Sequence, residues 1–191
     1  MISEIIESAS NVLTAASAVA VAVFAWQGLT TWKSEATGRR RSELAAGALA
    51  DFYKVRSIIQ LMRDPWYRAE EMADETDREG AGVEIYVINK RIEPHLDFLS
   101  LFQSRRFEFM AVFGAEQKGL YDEMVAAFNK VINAARTVSA LDRRDGETFV
   151  AFNRIISYQP NDAMSKEVDG IVAKMEVICR PEIELAAARQ R

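Results

Sequence analysis

Only one cysteine (Cys179) and one histidine (His95) occur in the 191 residues, and each scarcity removes a class of function. A lone cysteine forms no intrachain disulfide, and it suits a reducing cytoplasm. A carboxylate-bridged di-iron centre draws a Glu-x-x-His pair from each of two helices, so one histidine cannot build it. Zinc sites use several cysteines and histidines, again more than the chain holds. His95 has no nucleophile-elbow serine to serve, and no glycine-rich phosphate loop is present. Catalytic residues, metal ligands and cofactors are therefore expected to be none. A net positive charge is lacking too: the net charge of −4 and pI near 5.2 argue against nucleic acid as a partner. With four prolines and nine glycines, long stretches run without a helix breaker, and no internal repeat or low-complexity segment interrupts them.

Against this background one stretch stands out. No side chain ionises between Glu7 and Lys33. A membrane-crossing helix needs about 20 apolar residues, so residues 8–32 are long enough. Their strongest apolar members, Val12, Leu13, Val19, Val21, Val23, Phe24 and Leu29, together favour insertion by roughly 2–4 kcal/mol. Asn11, Thr14, Ser17 and Gln27 erode part of that. The competing reading is an alanine-rich core helix of a soluble bundle. The flanks favour the membrane. Trp26 and Trp32 lie where aromatic rings settle at headgroup level, and Lys33, Arg39, Arg40 and Arg41 follow, whereas Glu4 and Glu7 precede. These six, Trp26, Trp32, Lys33, Arg39, Arg40 and Arg41, are the expected membrane-interface residues, the arginines serving anionic headgroups. Positive-inside asymmetry puts the N-terminus outside and the remainder in the cytoplasm, at the cell (inner) membrane. The acidic N-terminal flank argues against a cleaved signal peptide.

The rest reads as helices. Leu44, Ala48, Phe52, Val55, Ile59 and Met62 recur at steps of three and four, and Asp64-Pro65 stops them. Whether this helix continues the anchor or starts near Ser42 stays open at Gly38. Residues 66–82 are an expected acidic loop, with Trp66 and Tyr67 packing against the domain end. Next come a helix around residues 83–92 bearing Ile85, Ile88 and Ile92, and one beginning at Pro94 with Leu96, Leu99, Phe102, Phe107 and Met110 inward. Residues 115–141 carry a coiled-coil-like seam of Tyr121, Met124, Phe128, Val131, Ala135 and Val138. After a turn at 142–146, a short helix holds Phe149, Phe152 and Ile156. A last helix, capped by Asn161 or Asp162, buries Val168, Ile171, Val172, Met175 and Ile178 and stops at Arg180-Pro181. The expected fold is thus all-α: an N-terminal transmembrane helix and an antiparallel helical bundle. Its divisions are an anchor (1–32), a basic neck (33–41), a cytoplasmic bundle (42–181) and a frayed tail (182–191).

Two resemblances carry function. Arg91 and His95 resemble the Arg-and-His ribonuclease motif of HEPN helical bundles, although only three residues intervene here and one is Pro94. That likeness implies a membrane-anchored nuclease using Arg91 and His95; the plainer reading of His95 is an ordinary residue at a helix start. The runs Trp32-Lys33-x-Glu35, Arg39-Arg40-Arg41-x-Glu43-Leu44-Ala45, Phe52-Tyr53, Arg63-Asp64-Pro65 and Glu176…Cys179-Arg180-Pro181 resemble a group of uncharacterised bacterial single-pass membrane proteins. The group shares an N-terminal anchor, a basic neck and a helical cytoplasmic domain. The leading expectation is a non-enzymatic, membrane-tethered interaction or scaffolding module. Its partners are the lipid bilayer, a protein, and a second copy through the small-residue stripe Ser10, Thr14, Ala18 and Ala22.

Overall fold

The computed structural model describes residues 2–66, 68, 71, 82–141 and 146–189, with side chains for all but residues 2–16, 20, 31, 34 and 189 of these. The described residues form helices, turns and loops, with no strand. Helix α1 spans Ile2–Met62, α2 Val83–Ile92, α3 Leu96–Phe113, α4 Lys118–Ala140, α5 Gly146–Ile156 and α6 Ala163–Arg189. Short 3₁₀ turns at Glu93–His95 and Ala115–Gln117 lead into α3 and α4. The fold is all-α.

Helix α1 settles the question left at Gly38, because it runs 61 residues without a break, about 90 Å at the ordinary helical rise. Gly38 and Gly47 each weaken it by about 1 kcal/mol relative to alanine, too little to end a helix held by packing on one side. From Ala45 onward it is the central element. Ala45, Ala48, Leu49, Phe52, Val55, Ile58, Ile59 and Met62 are buried. The arm ahead of them is different: every described side chain from Ser17 to Thr37 is exposed.

The centre of the bundle is aromatic. Phe52 meets Phe102 and Tyr121 edge-on, with ring centroids 5.3 and 5.0 Å apart, the geometry that sets a positive ring edge against a negative face. Phe109 stacks on Phe113 at 4.3 Å. Thus α3 turns Phe102 and Phe109 inward, seven residues apart on one face, while Phe107 (60 % exposed) and Leu96 (56 %) face out. The expected inward Phe107 and Leu96 are corrected by this rotation. Helix α3 is apolar on several sides, so periodicity alone could not select the face. In α4 the buried seam is Tyr121, Met124, Ala127, Val131, Ala134, Ala135 and Val138, with Phe128 only half-buried. Small alanines let α4 approach its neighbours closely, and the larger Phe128 lies at the margin. The Tyr121 hydroxyl is buried without a hydrogen-bond partner among the described residues.

Two further expectations change. Helix α6 does not stop at Pro181 but runs through it to Arg189. The missing N–H costs that turn a hydrogen bond, offset by Ile183 packing on the core and Glu182 pairing with Arg41 at 2.8 Å. Trp66 does not pack against the domain end; it is 79 % exposed. The acidic run 70–79, apart from Glu71, and the turn residues 142–145 lie outside the described residues. At Gly114 the backbone turns with φ 105°, a left-handed value that favours glycine, and a Cβ there would meet the Glu116 carboxylate.

Candidate functional site

The polar chemistry of the bundle gathers at the end where α1 stops. The last α1 carbonyls have few N–H groups to accept from; buried Arg91 donates to them, while buried Arg63 donates to carbonyls at the end of α5. Arg91, on the inner face of α2, sends Nη1 to the carbonyl oxygens of Leu61 (3.2 Å), Met62 (3.4 Å) and Asp64 (2.7 Å). Its Nη2 donates to the Trp66 carbonyl and Glu71 Oε2, and its Nε to Glu71 Oε1 at 2.8 Å. All of its N–H groups are engaged. Arg91 lowers the Glu71 carboxyl below its ordinary range by hydrogen bonding, while burial opposes that shift.

Arg63, with only 1 % of its side chain exposed, forms the second clamp. Its Nε donates to the Ile155 carbonyl at 2.6 Å, Nη1 to Ser165 Oγ, and Nη2 to the Ser157 carbonyl and Asp162 Oδ2. One guanidinium thereby joins the end of α1, the end of α5 and the start of α6. Asp162 is also the cap of α6, accepting from the Ser165 N–H at 2.7 Å, so of the two expected caps it is Asp162 that acts. Asn161 instead takes a left-handed turn with φ 62°.

Burial pushes the Asp162 carboxyl up, but hydrogen bonds from Arg63 and from the N–H groups of Ser165 and Gln159 outweigh it and bring it from 3.8 to about 2. Because the folded value lies below the unfolded one, the stabilisation is complete above about pH 4 and is lost between about pH 4 and 2. Asp162→Asn should therefore be less stable than the parent at pH 7, with the gap closing towards pH 2. Urea unfolding at pH 7, 4 and 3 measures it, and a gap that does not change with pH would remove the carboxylate from the account.

The remaining candidates fall apart in space and chemistry. His95 is half-buried in the 3₁₀ turn after Pro94, and Arg91 has no N–H left for a phosphate. The cleft beside Arg91, lined by Asp64, Glu84, Asn153 and Ser157 among others, encloses about 90 Å³, against 300 Å³ or more for ordinary ligand pockets. Cys179 is fully buried against Met175, and burial raises its thiol to about 11, an unreactive state. Among the described residues no cluster of three or more His, Cys, Asp or Glu is placed to hold a metal ion.

Of the six membrane-interface residues, Trp26, Trp32, Lys33, Arg39 and Arg40 are exposed. Arg41 is partly exposed, pairs with Glu182 and lies 4.7 Å over the Phe113 ring. Among the described residues no helix is long and apolar enough to cross a membrane. The uncharged run begins at residue 8, and its side chains are described only from Ser17. In the small-residue stripe Ala18 and Ala22 are exposed, while the side chains of Ser10 and Thr14 lie outside the described ones. Sequence reading missed the Arg63 and Arg91 clamps. The available signal was a cation before Asp-Pro for Arg63 and a cation in the last turn of a short helix for Arg91, each too common to single them out.

No protein-family model, curated protein or solved structure matches this chain.

Proposed function

We propose that the protein is a membrane-tethered helical scaffold without catalysis of its own, held by residues 8–32 of α1 in the cell (inner) membrane, N-terminus outside and bundle in the cytoplasm. One observation carries this reading. From residue 8 to 32 α1 carries no ionisable side chain, and its exposed Val19, Val21, Val23, Phe24, Trp26, Leu29 and Trp32 have no cover from the other described residues. A contiguous apolar surface of that length is costly in water and is satisfied by lipid. The exposed cations Lys33, Arg39 and Arg40 follow on the side that positive-inside asymmetry keeps in. The bundle supplies the surface for a protein partner: Trp66, Leu101 and Phe107 are exposed on it. The likeness to single-pass proteins with a basic neck agrees with this reading, and the engagement of Arg91 gives the nuclease alternative no support.

Val21→Asp tests the anchor. A carboxylate at mid-helix costs about 2.5–3.5 kcal/mol of insertion, as much as the whole run contributes. The parent should remain in membranes through alkaline carbonate washing, and Val21→Asp should be released. Protease added outside intact spheroplasts should leave the bundle whole. Release of the parent by carbonate would overturn the anchor, and digestion from outside would overturn the orientation.

A further inference from the structure

The register between α1 and α6 sets the depth of the last helix. Arg63 pairs with Asp162, Arg56 with Asp169 and Arg41 with Glu182. Seven residues along α1 match seven along α6 between the first two pairs, and the third keeps nearly the same step, so the helices lie antiparallel. Ile183 packs on the core and Ala186 is half-buried, which keeps them side by side beyond Pro181. Helix α6 ends at Arg189, seven residues past Glu182, and its last turn comes level with about residue 34 of α1. Exposed Trp32 stands only about 3 Å further along. The end of α6 and the ring at the edge of the anchor are therefore at one depth.

The chemistry at that depth is apolar with an excess of cations, exposed Lys33, Arg39 and Arg40 standing against exposed Glu35 and Glu184. Leu185 is 57 % exposed, with Ala187 and Ala188 exposed beside it. Lys33, Arg39 and Arg40 are exposed and have no ion-pair partner among the described residues, whereas Arg41 is held by Glu182. Methyl groups beside a surface on which cations outnumber carboxylates fit the boundary between anionic headgroups and acyl chains. We propose that the last two turns of α6 make a second, peripheral contact with an anionic phospholipid headgroup layer, beside the α1 anchor. The bundle is then fixed to the bilayer at two points, and its Arg63–Arg91 end faces away from it. This rests on α1 being the anchor.

A thiol probe reads the depth. Cys179 is buried, so the folded parent serves as the unlabelled control. Ala188→Cys and Val177→Cys, both exposed positions on α6, would carry an environment-sensitive nitrobenzoxadiazole label in the full chain. Vesicles would hold equal parts phosphatidylglycerol and phosphatidylcholine with a headgroup-nitroxide lipid. The label at 188 should be quenched at least about three-fold more than that at 177, which lies about 16 Å farther from the anchor. Vesicles of phosphatidylcholine alone should at least halve quenching at 188. Tryptophan quenching in the same samples reports Trp26 and Trp32, and so the anchor itself. Quenched tryptophans with equal signals at 177 and 188 would overturn the second contact while leaving the anchor standing. Unquenched tryptophans would overturn the anchor and this contact together. Quenching at 188 that ignores phosphatidylglycerol would overturn the anionic headgroup as its ligand.

Discussion

Arg91→Ala should lower the unfolding free energy of the bundle by about 3–5 kcal/mol, the cost of removing one member of a buried ion pair. Its side chain is 4 % exposed and that of Glu71 11 %. Truncation leaves the carbonyl oxygens of Asp64 and Trp66 without their donor, and leaves Leu61 with only the Asp64 N–H and Glu71 with only the Arg68 N–H. Arg91→Lys should recover less than half of the loss, since one ammonium cannot span a carboxylate and four separate carbonyls as the planar fork does. Acid should act in the same direction. Glu71 titrates below its ordinary 4.5 when folded, so its contribution is whole above about pH 4.5 and falls away as pH drops through the lowered value. Urea unfolding of the full chain in detergent, followed by circular dichroism at pH 7, measures the effect. An unchanged midpoint for Arg91→Ala would mean that the clamp holds nothing. It would also return Arg91 to consideration as a residue kept for binding.

A loss of about 3–5 kcal/mol is likewise expected for Phe52→Ala, through a different mechanism. Phe52 is fully buried, and its ring is shared between Phe102 on α3 and Tyr121 on α4. Removing it opens a cavity where three helices meet and deletes two aromatic pairs, each contributing about 0.5–1.5 kcal/mol beyond the buried area. Phe107→Ala, on the outer face of α3, should stay within about 0.5 kcal/mol. Thermal unfolding of the two variants side by side is the measurement. Equal shifts would mean that the rotation of α3 is wrong.

These two residues also mark how far the sequence can be read. Phe52 is legible: it sits in a run of apolar residues at steps of three and four, and α1 buries that face from Ala48 to Met62. Arg91 is legible only as one cation in the last turn of a short helix. The carbonyls it serves belong to a segment about thirty residues earlier, and no local pattern announces such a meeting. The same holds for Arg63, whose partners lie about a hundred residues downstream.

By itself the sequence determined the helical class, most helix positions, the Asp-Pro stop after α1, the cap region of α6 and the uncharged run ahead of Lys33. All of these follow from the intrinsic behaviour of a few neighbouring residues: period, breakers, caps and charge. Tertiary structure alone decided that α1 continues from arm to core, that Phe109 and not Phe107 turns inward, and that α6 passes through Pro181. It also decided that Arg41 pairs with Glu182 while Arg39 and Arg40 have no ion-pair partner among the described residues. Each of those outcomes depends on which neighbour arrives from a distant part of the chain. Packing free energy of several kcal/mol overrides local preferences of about 1–3 kcal/mol, and a short window of residues contains no record of it.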